Sequence, residues 1–205
     1  MHLPERLHQA VDVGDAGARE SGGGTIGDGL LGQAVADIAR DPNRFTFLSR
    51  CLPNVPVVIG DARLTLERER PAAIDLLVVD AFSSDSIPMH LLTREAFQTY
   101  RRKLAGNGLL LVHISNRHLD LKPVIAAAAS DGWTARLRYY RPSPEDIAHN
   151  QYTSSMWVAM SPSPATLAHL EAANAGAWQK LEGRPGFTPW TDDYASVLPV
   201  LRALQ

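Results

Sequence analysis

The sequence predicts an α/β domain in which a mostly parallel sheet carries helices on both faces. Apolar, strand-like runs alternate with segments of helical spacing along most of the chain, which is the order expected when helices join parallel strands. Two of these runs lead into a turn or loop that carries an aspartate, at the strand edge where such sheets bind ligands. The chain has 205 residues, 45% of them hydrophobic and 20% charged. This composition fits one globular domain with a substantial core.

The first 34 residues differ from the rest of the chain. They contain the glycine-rich stretch GDAGARESGGGTIGDGLLG, and they show neither a run of β-forming residues nor a convincing amphipathic helix. Glycine-rich sequence without apolar periodicity favours irregular structure. We therefore expect an irregular or poorly ordered segment over residues 1–34 and a folded domain over residues 35–205.

From residue 34 onward the pattern is regular. The predicted elements are, in order, a helix over AVADIARD, a strand over VPVVIG, a helix over LTLERE, a strand over IDLLVVD, a helix that ends at Leu104, a strand over GLLLVHIS, a helix over LDLKPVIAAAAS, strands over WTARLRYY and SSMWVAM, and a helix over SPATLAHLEAANAGAWQKL. In the helix that ends at Leu104, Thr93 is a suitable N-cap, and Phe97 and Tyr100 share its inner stripe.

The most informative stretch is VVDAFSSDSIPMHLLTREAF, residues 78–97. Residues 74–79 are predicted to form a strand that is buried on both faces, so Asp80 falls at its carboxyl end. The loop that follows adds a second carboxylate, Asp85. A lone aspartate in this place is often a cap or turn residue, whereas two carboxylates in one loop favour a functional site.

Several stretches together resemble the spermidine synthase-like (polyamine aminopropyltransferase) family. They are GDARLTLE at 60–67, DLLVVDAFSSDSIPMHLLTREAF at 75–97, LLLVHISNRHLDLKPV at 109–124 and TDDYASVLP at 191–199. The similarity runs in order from about Val35 to Pro199, and it is greatest to the bacterial branch in which this domain often follows a multi-pass membrane domain. It implies a Rossmann-like, methyltransferase-type fold whose strands WTARLRYY and SSMWVAM form an antiparallel edge.

The resemblance implies that the chain transfers an aminopropyl group from decarboxylated S-adenosylmethionine to a diamine. Asp80 matches the family's catalytic carboxylate. An ammonium has no lone pair with which to attack, so a carboxylate at hydrogen-bond distance can orient the amine and accept its proton. Asp85 would then hold the cationic end of the small-molecule amine.

The turn GDA at residues 60–62 has two interpretations. The resemblance implies that Asp61, with Ala62, contacts the adenine of the co-substrate. The alternative is that Asp61 is the N-cap of the helix over LTLERE, and its position alone favours neither interpretation.

The stretch TDDY is a candidate amine pocket. A diamine carries a positive charge at each end of an alkyl chain, so its pocket requires acids at the ends and aromatic walls, where cation–π contacts add about 0.5 to 2 kcal/mol. Asp192 and Asp193 are candidates for the acids, and Tyr194 and Tyr152 for the walls. The alternative is a polar surface turn.

We predict no metal site. The histidines His90, His113 and His118 fit no common zinc spacing, and the single Cys51 lacks a second thiol. His113 lies on an apolar strand, so we expect it to be a packed, hydrogen-bonded residue.

Charge and hydropathy exclude other functions. A net charge of −2 with scattered arginines argues against nucleic-acid binding. No apolar run approaches the ~20 residues that span a bilayer, and the N-terminus lacks the apolar core of a signal peptide. We therefore expect a cytoplasmic chain with no membrane segment of its own, although full-length relatives in this branch can carry one. The sequence leaves a homodimer open.

The nucleoside half of the family pattern is incomplete. A nucleotide-binding fold of this kind has a glycine turn after its first strand and an acid after its second. In this chain no β-forming run precedes the glycines, and the positions aligned with the acids are Leu30 and Gly32. Two alternatives to aminopropyl transfer therefore remain: a non-catalytic or truncated remnant with impaired nucleoside binding, or an S-adenosylmethionine-dependent methyltransferase.

Overall fold

A computed structural model describes residues 7–10, 26–51, 53–80 and 88–202. The strands in this part of the chain are β1 (Leu7–Ala10), β2 (Ile74–Val79), β3 (Leu104–His113), β4 (Thr134–Tyr140), β5 (Ser155–Ser161) and β6 (Gln179–Lys180). The helices are α1 (Ile26–Arg40), α2 (Phe47–Cys51), α3 (Ala62–Glu67), α4 (Arg94–Lys103), α5 (Lys122–Ala128), α6 (Pro144–Asn150) and α7 (Pro164–Ala173), with short 3-10 turns at Met89–Leu91 and Leu198–Val200. No helix in these ranges has the length and apolar character needed to cross a bilayer.

The strands form one sheet in the order β1-β2-β3-β5-β4-β6. β1, β2 and β3 pair in parallel, whereas β5 is antiparallel to both β3 and β4, and β6 is antiparallel to β4. β1 to β4 therefore run in one direction, and the sheet is mixed. This architecture confirms the predicted Rossmann-like α/β class and the antiparallel β4–β5 pair.

The core lies on both faces of the sheet. On one face, strand positions two residues apart are buried with the inner side of α4, as expected for alternating side chains. This face holds Leu77, Val79, Leu110, Val112, Val158, Met160, Ala96, Phe97 and Tyr100. Ala159 and Leu167 are fully buried outside that cluster. Ala159 points away from Val158 and Met160, so the opposite face of the sheet is buried as well, and α7 packs against β3, β4 and β5.

α4 forms as the sequence predicts. The Thr93 side chain accepts a hydrogen bond from the Ala96 amide at 3.3 Å, which caps the helix. Phe97 and Tyr100 are buried on the inner stripe, and the Tyr100 hydroxyl donates to the Leu91 carbonyl at 3.0 Å. The helix ends at Lys103, one residue before the predicted end, because Leu104 begins β3 directly.

The N-terminal part differs from the prediction. β1 pairs in parallel with β2, with Leu7 opposite Leu76 and Ala10 opposite Val79, and α1 begins at Ile26. The expectation of irregular structure over residues 1–34 is therefore wrong for these two stretches. The edge of β2 offers backbone donors and acceptors that any extended chain can satisfy, so the pairing does not require β-forming side chains. Residues 11–25 lie outside the described residues, and the division of the chain near residue 34 stays a prediction.

The predicted strand over VPVVIG is also wrong. Residues 55–59 have no regular secondary structure, and Val58 is 65% exposed. An apolar run becomes a strand only when another strand pairs with its backbone, and no strand of the described sheet pairs with this segment.

A further difference from the prediction is α6, which lies in the predicted loop RPSPEDIAHNQYT and begins with a capping box between Ser143 and Asp146.

Candidate active site

Asp80 and His113 meet at the carboxyl edge of the sheet. β2 ends at Val79, and Val79 is paired with Val112 of β3, so the next residue of each strand is a neighbour of the other. Asp80 Oδ1 lies 2.7 Å from His113 Nδ1. The Asp80 side chain is 39% exposed and His113 is 22% exposed. The carboxylate is therefore held by a side chain of the next strand while part of it faces outward.

Two further contacts fix the His113 ring, and a third fixes Ser115, which is one of its partners. His113 Nε2 lies 2.6 Å from Ser115 Oγ, and Ser115 Oγ accepts a hydrogen bond from the Met156 amide at 2.8 Å. Trp157, which is opposite His113 in the β3–β5 pair, stacks on the ring with a centroid distance of 4.6 Å and an interplanar angle of 21°. These contacts confirm that His113 is a packed, hydrogen-bonded residue.

Asp61 lies at the start of a helix rather than at the end of a strand. Its Oδ1 accepts from the Leu64 amide at 2.8 Å, so Asp61 is the N-cap of α3, of which Ala62 is the first residue. Its Oδ2 lies 3.6 Å from His90 Nε2. The N-cap interpretation thus describes Asp61, and the contact of Asp61 and Ala62 with adenine stays a prediction.

Asp192 is paired with Arg63 of α3. The two guanidinium nitrogens Nη1 and Nη2 each donate to one oxygen of the carboxylate at 2.7 Å, and the Thr93 hydroxyl donates to Oδ1 at 2.7 Å. The hydrogen bonds from Arg63, reinforced by that from Thr93, hold the pKa of the Asp192 carboxyl below its usual value against the opposing effect of burial. The same pairing raises the pKa of Arg63.

Two neighbouring hydrogen bonds join the C-terminal tail, residues 190–202, to the start of α4. The Asp192 amide donates to Glu95 Oε2 at 3.1 Å, and the Arg94 amide donates to the Trp190 carbonyl at 2.8 Å. Both oxygens of Asp192 are engaged and its charge is balanced by Arg63. The Asp192 carboxylate is thus held in a bidentate ion pair, and its role as an acid for the amine stays a prediction.

The remaining predicted amine-pocket residues lie apart from these contacts. Asp193 is exposed, Tyr194 is 71% exposed in a turn closed by Thr191, and Tyr152 is 51% exposed after α6. Their roles stay predictions. Asp85 lies outside the described residues. No group of three or more His, Cys, Asp or Glu is placed to hold a metal ion in the part of the chain that the structure describes.

Two residues of the candidate site, Arg63 and Ser115, are not predicted from the sequence. Arg63 meets a partner 129 residues away, and nothing local in the sequence indicates that contact. Ser115 lies two residues beyond His113, the last residue of β3. The correct end of β3 would have been enough to predict that the two polar side chains are close.

Solved structures share this fold, whereas no protein-family model and no curated protein matches the sequence. A probable spermidine synthase from Corynebacterium glutamicum aligns with 81% of this chain and 62% of its own, at 18% identity and a TM-score of 0.53. A spermidine synthase from Thermotoga maritima aligns with 74% of this chain and 50% of its own, at 15% identity and a TM-score of 0.45. A spermidine synthase in complex with the transition-state analogue AdoDATO aligns with 77% and 52%, at 14% identity and a TM-score of 0.48.

This chain spans between half and about three fifths of the length of these synthases. At such identities the likeness concerns the backbone. Together with the sheet order and the antiparallel β4–β5 edge, the likeness to the Corynebacterium glutamicum structure shows that the chain has a spermidine synthase-like fold of the Rossmann-like α/β class.

Proposed function

We propose that this chain is a polyamine aminopropyltransferase domain that uses decarboxylated S-adenosylmethionine as co-substrate and a diamine as acceptor. The amine nitrogen attacks the aminopropyl carbon next to the sulfonium, the carbon–sulfur bond breaks, and methylthioadenosine leaves with the electron pair on sulfur. The proton that the attacking amine loses goes to a carboxylate at the site, for which we propose Asp80.

The position of Asp80 is the observation that carries this proposal. It follows β2 directly, at the carboxyl edge where open α/β sheets bind ligands. One of its oxygens contacts His113, and 39% of the side chain is exposed. A fixed, accessible carboxylate is suited both to orient a cationic amine and to accept its proton. For the distal ammonium of the diamine, Asp85, Asp192 and Asp193 are the candidates.

Product formation tests the proposal. The purified chain is incubated with decarboxylated S-adenosylmethionine and putrescine, and methylthioadenosine and the new polyamine are quantified by chromatography. Asp80→Asn keeps the shape of the side chain but removes its basicity, and we expect the rate to fall by about 10² to 10⁴. A parallel reaction with S-adenosylmethionine measures methyl transfer.

Asp131→Asn is the matched control. Asp131 is exposed and precedes β4, which runs in the same direction as β2, so it lies at the opposite edge of the sheet from Asp80. This variant should keep the rate of the unsubstituted chain. Equal rates for the chain and for Asp80→Asn would contradict the assignment of the base, and product formed only from S-adenosylmethionine would favour a methyltransferase.

A non-catalytic domain is the second candidate, and the contact between Gly32 and Ile59 favours it. Gly32 stands where the resemblance places an acid for the ribose, and a Cβ there would lie 3.0 Å from Ile59 Cγ2. Loss of a charge-assisted contact with the ribose hydroxyls forfeits about 1.5 to 3 kcal/mol, or one to two powers of ten in affinity.

Calorimetric titration with methylthioadenosine distinguishes the two candidates. We expect weak binding, beyond the micromolar range, together with turnover that becomes detectable at high co-substrate concentration. Absence of both binding and turnover would favour the non-catalytic domain. Micromolar binding that Asp61→Ala abolishes would show that residues 26–61 build a working nucleoside site.

A further inference from the structure

The ring of His113 connects the Asp80 carboxylate to two neighbouring segments. Nδ1 faces Asp80 Oδ1 at 2.7 Å, and Nε2 faces Ser115 Oγ at 2.6 Å. Stacking on Trp157 restricts rotation of the ring. The imidazole is thus held on both nitrogens and on one face, while the side chain stays largely buried at 22% exposure.

The hydrogen-bond partners determine which nitrogen carries the proton. An ionised carboxylate only accepts, so the contact with Asp80 requires a hydrogen on Nδ1. Ser115 Oγ accepts from the Met156 amide, which leaves the hydroxyl hydrogen to donate to Nε2. In the tautomer protonated at Nδ1, each of these hydrogen bonds points its hydrogen toward Asp80.

We propose that His113 is a positioning residue for the Asp80 carboxylate. It holds Oδ1 through Nδ1–H, which directs Oδ2 toward the amine and keeps the carboxyl group from rotating away from the line of attack. Ser115 and the Met156 amide fix the tautomer, and Trp157 fixes the ring plane. The effect of His113 on catalysis rests on the proposed function. The hydrogen bond between His113 and Asp80 rests on the observed contacts alone.

The same order of side chains, aspartate to histidine to serine, occurs in serine hydrolases, so the Ser115 oxygen could alternatively be a nucleophile. We favour a supporting role because the Met156 amide donates to Ser115 Oγ at 2.8 Å and ties the oxygen to the backbone of β5, although the second lone pair of the hydroxyl stays available. Ser115 is instead placed as a support for the ring.

Kinetics of three variants test the positioning role. Because Nδ1 of histidine and Nδ2 of asparagine are both bonded to Cγ, His113→Asn can still donate to Asp80, whereas His113→Leu cannot. For His113→Leu we expect kcat to fall by about 10- to 100-fold with KM for both substrates nearly unchanged. The kcat of His113→Asn should lie several-fold above that of His113→Leu. His169→Leu, an exposed change on α7, is the control and should keep the original kcat.

A measurement without turnover separates this inference from the proposed function. Long-range ¹⁵N–¹H NMR of the ¹⁵N-labelled chain identifies the protonated ring nitrogen of His113 at neutral pH. A hydrogen on Nδ1 whose resonance moves in Asp80→Ala supports the contact even if no transfer activity is found. An unprotonated Nδ1 overturns the proposal even if the chain is active.

Two further outcomes count against the proposal. Equal kcat values for His113→Asn and His113→Leu would mean that the Nδ1 donor has no part in positioning. Covalent labelling of Ser115 by a fluorophosphonate probe, lost in His113→Leu, would make Ser115 a nucleophile and overturn the supporting role.

Discussion

Removal of the Asp192 charge should loosen the C-terminal tail and lower the stability of the whole domain. In Asp192→Asn, Arg63 loses its bidentate partner while its own side chain remains only 14% exposed. A hydrogen bond to a charged group contributes about 1.5 to 3 kcal/mol, but the carboxylate is 43% exposed, and solvent screening lowers this toward about 1 to 2 kcal/mol. For a chain of this size we expect Tm to fall by about 2 to 8 °C.

The effect has a defined pH dependence. Because Arg63 lowers the pKa of Asp192 in the folded state, the stabilisation is present above the unfolded-state pKa of an aspartate, about 3.9. It is lost as the pH falls through the lower folded-state value. The difference in Tm between the original chain and Asp192→Asn should therefore be full at pH 7 and shrink below about pH 4.

Thermal unfolding followed by circular dichroism measures both effects. Asp193→Asn changes the neighbouring exposed carboxylate and should leave Tm within about 1 °C. A cycle with Arg63→Met and the double variant should give a coupling of about 1 kcal/mol. The reasoning is refuted if Asp192→Asn shifts Tm no more than Asp193→Asn does, or if the coupling is zero.

Other substitutions probe features that hold the site in place, each read out by urea denaturation. Lys103→Met leaves two backbone carbonyls without the Nζ that contacts them at 2.8 and 2.6 Å, and it should cost about 1 to 3 kcal/mol in the free energy of unfolding; an unchanged midpoint would contradict this. Gly132→Ala forces a side chain onto a residue with φ of +81° and should destabilise, whereas Gly106→Ala, with nothing within 4 Å of the added Cβ, should cost less. Thr93→Val removes both the α4 cap and the contact with Asp192, and a loss of about 1 to 2 kcal/mol is expected; no loss would show that water replaces the hydroxyl.

The elements that the sequence predicts correctly are those with local or strongly patterned causes. β2 and β3 are long apolar runs bounded by turn residues, and α4 has both a cap at Thr93 and an apolar stripe. The antiparallel β4–β5 pair follows from the family resemblance. In each case the residues that determine the element lie within it or next to it, so no knowledge of the tertiary structure is needed.

The features that the sequence does not predict depend on distant partners. Residues 55–59 have a strand-like composition but no strand beside them, so composition alone is misleading. β1 has little β-forming character, yet the free edge of β2 pairs with it. The pairing of Asp192 with Arg63 has no local signal either, because Arg63 lies 129 residues earlier in the chain.

The two halves of the candidate site would depend on different parts of the fold, and this determines which kinetic constant would limit the proposed activity. The contact between Asp80 and His113 needs only the β2–β3 register, which is secured by fully buried residues such as Leu77 and Leu110. The nucleoside half would depend on α1 and residues 55–59, where a Cβ on Gly32 would lie 3.0 Å from Ile59 Cγ2, so the Ile59 side chain would have to shift to admit an acid. In the proposed transferase, a base at Asp80 without an acid for the ribose would give weak co-substrate binding with the chemical step preserved. We therefore expect the deficit of this chain to fall on KM for decarboxylated S-adenosylmethionine rather than on kcat.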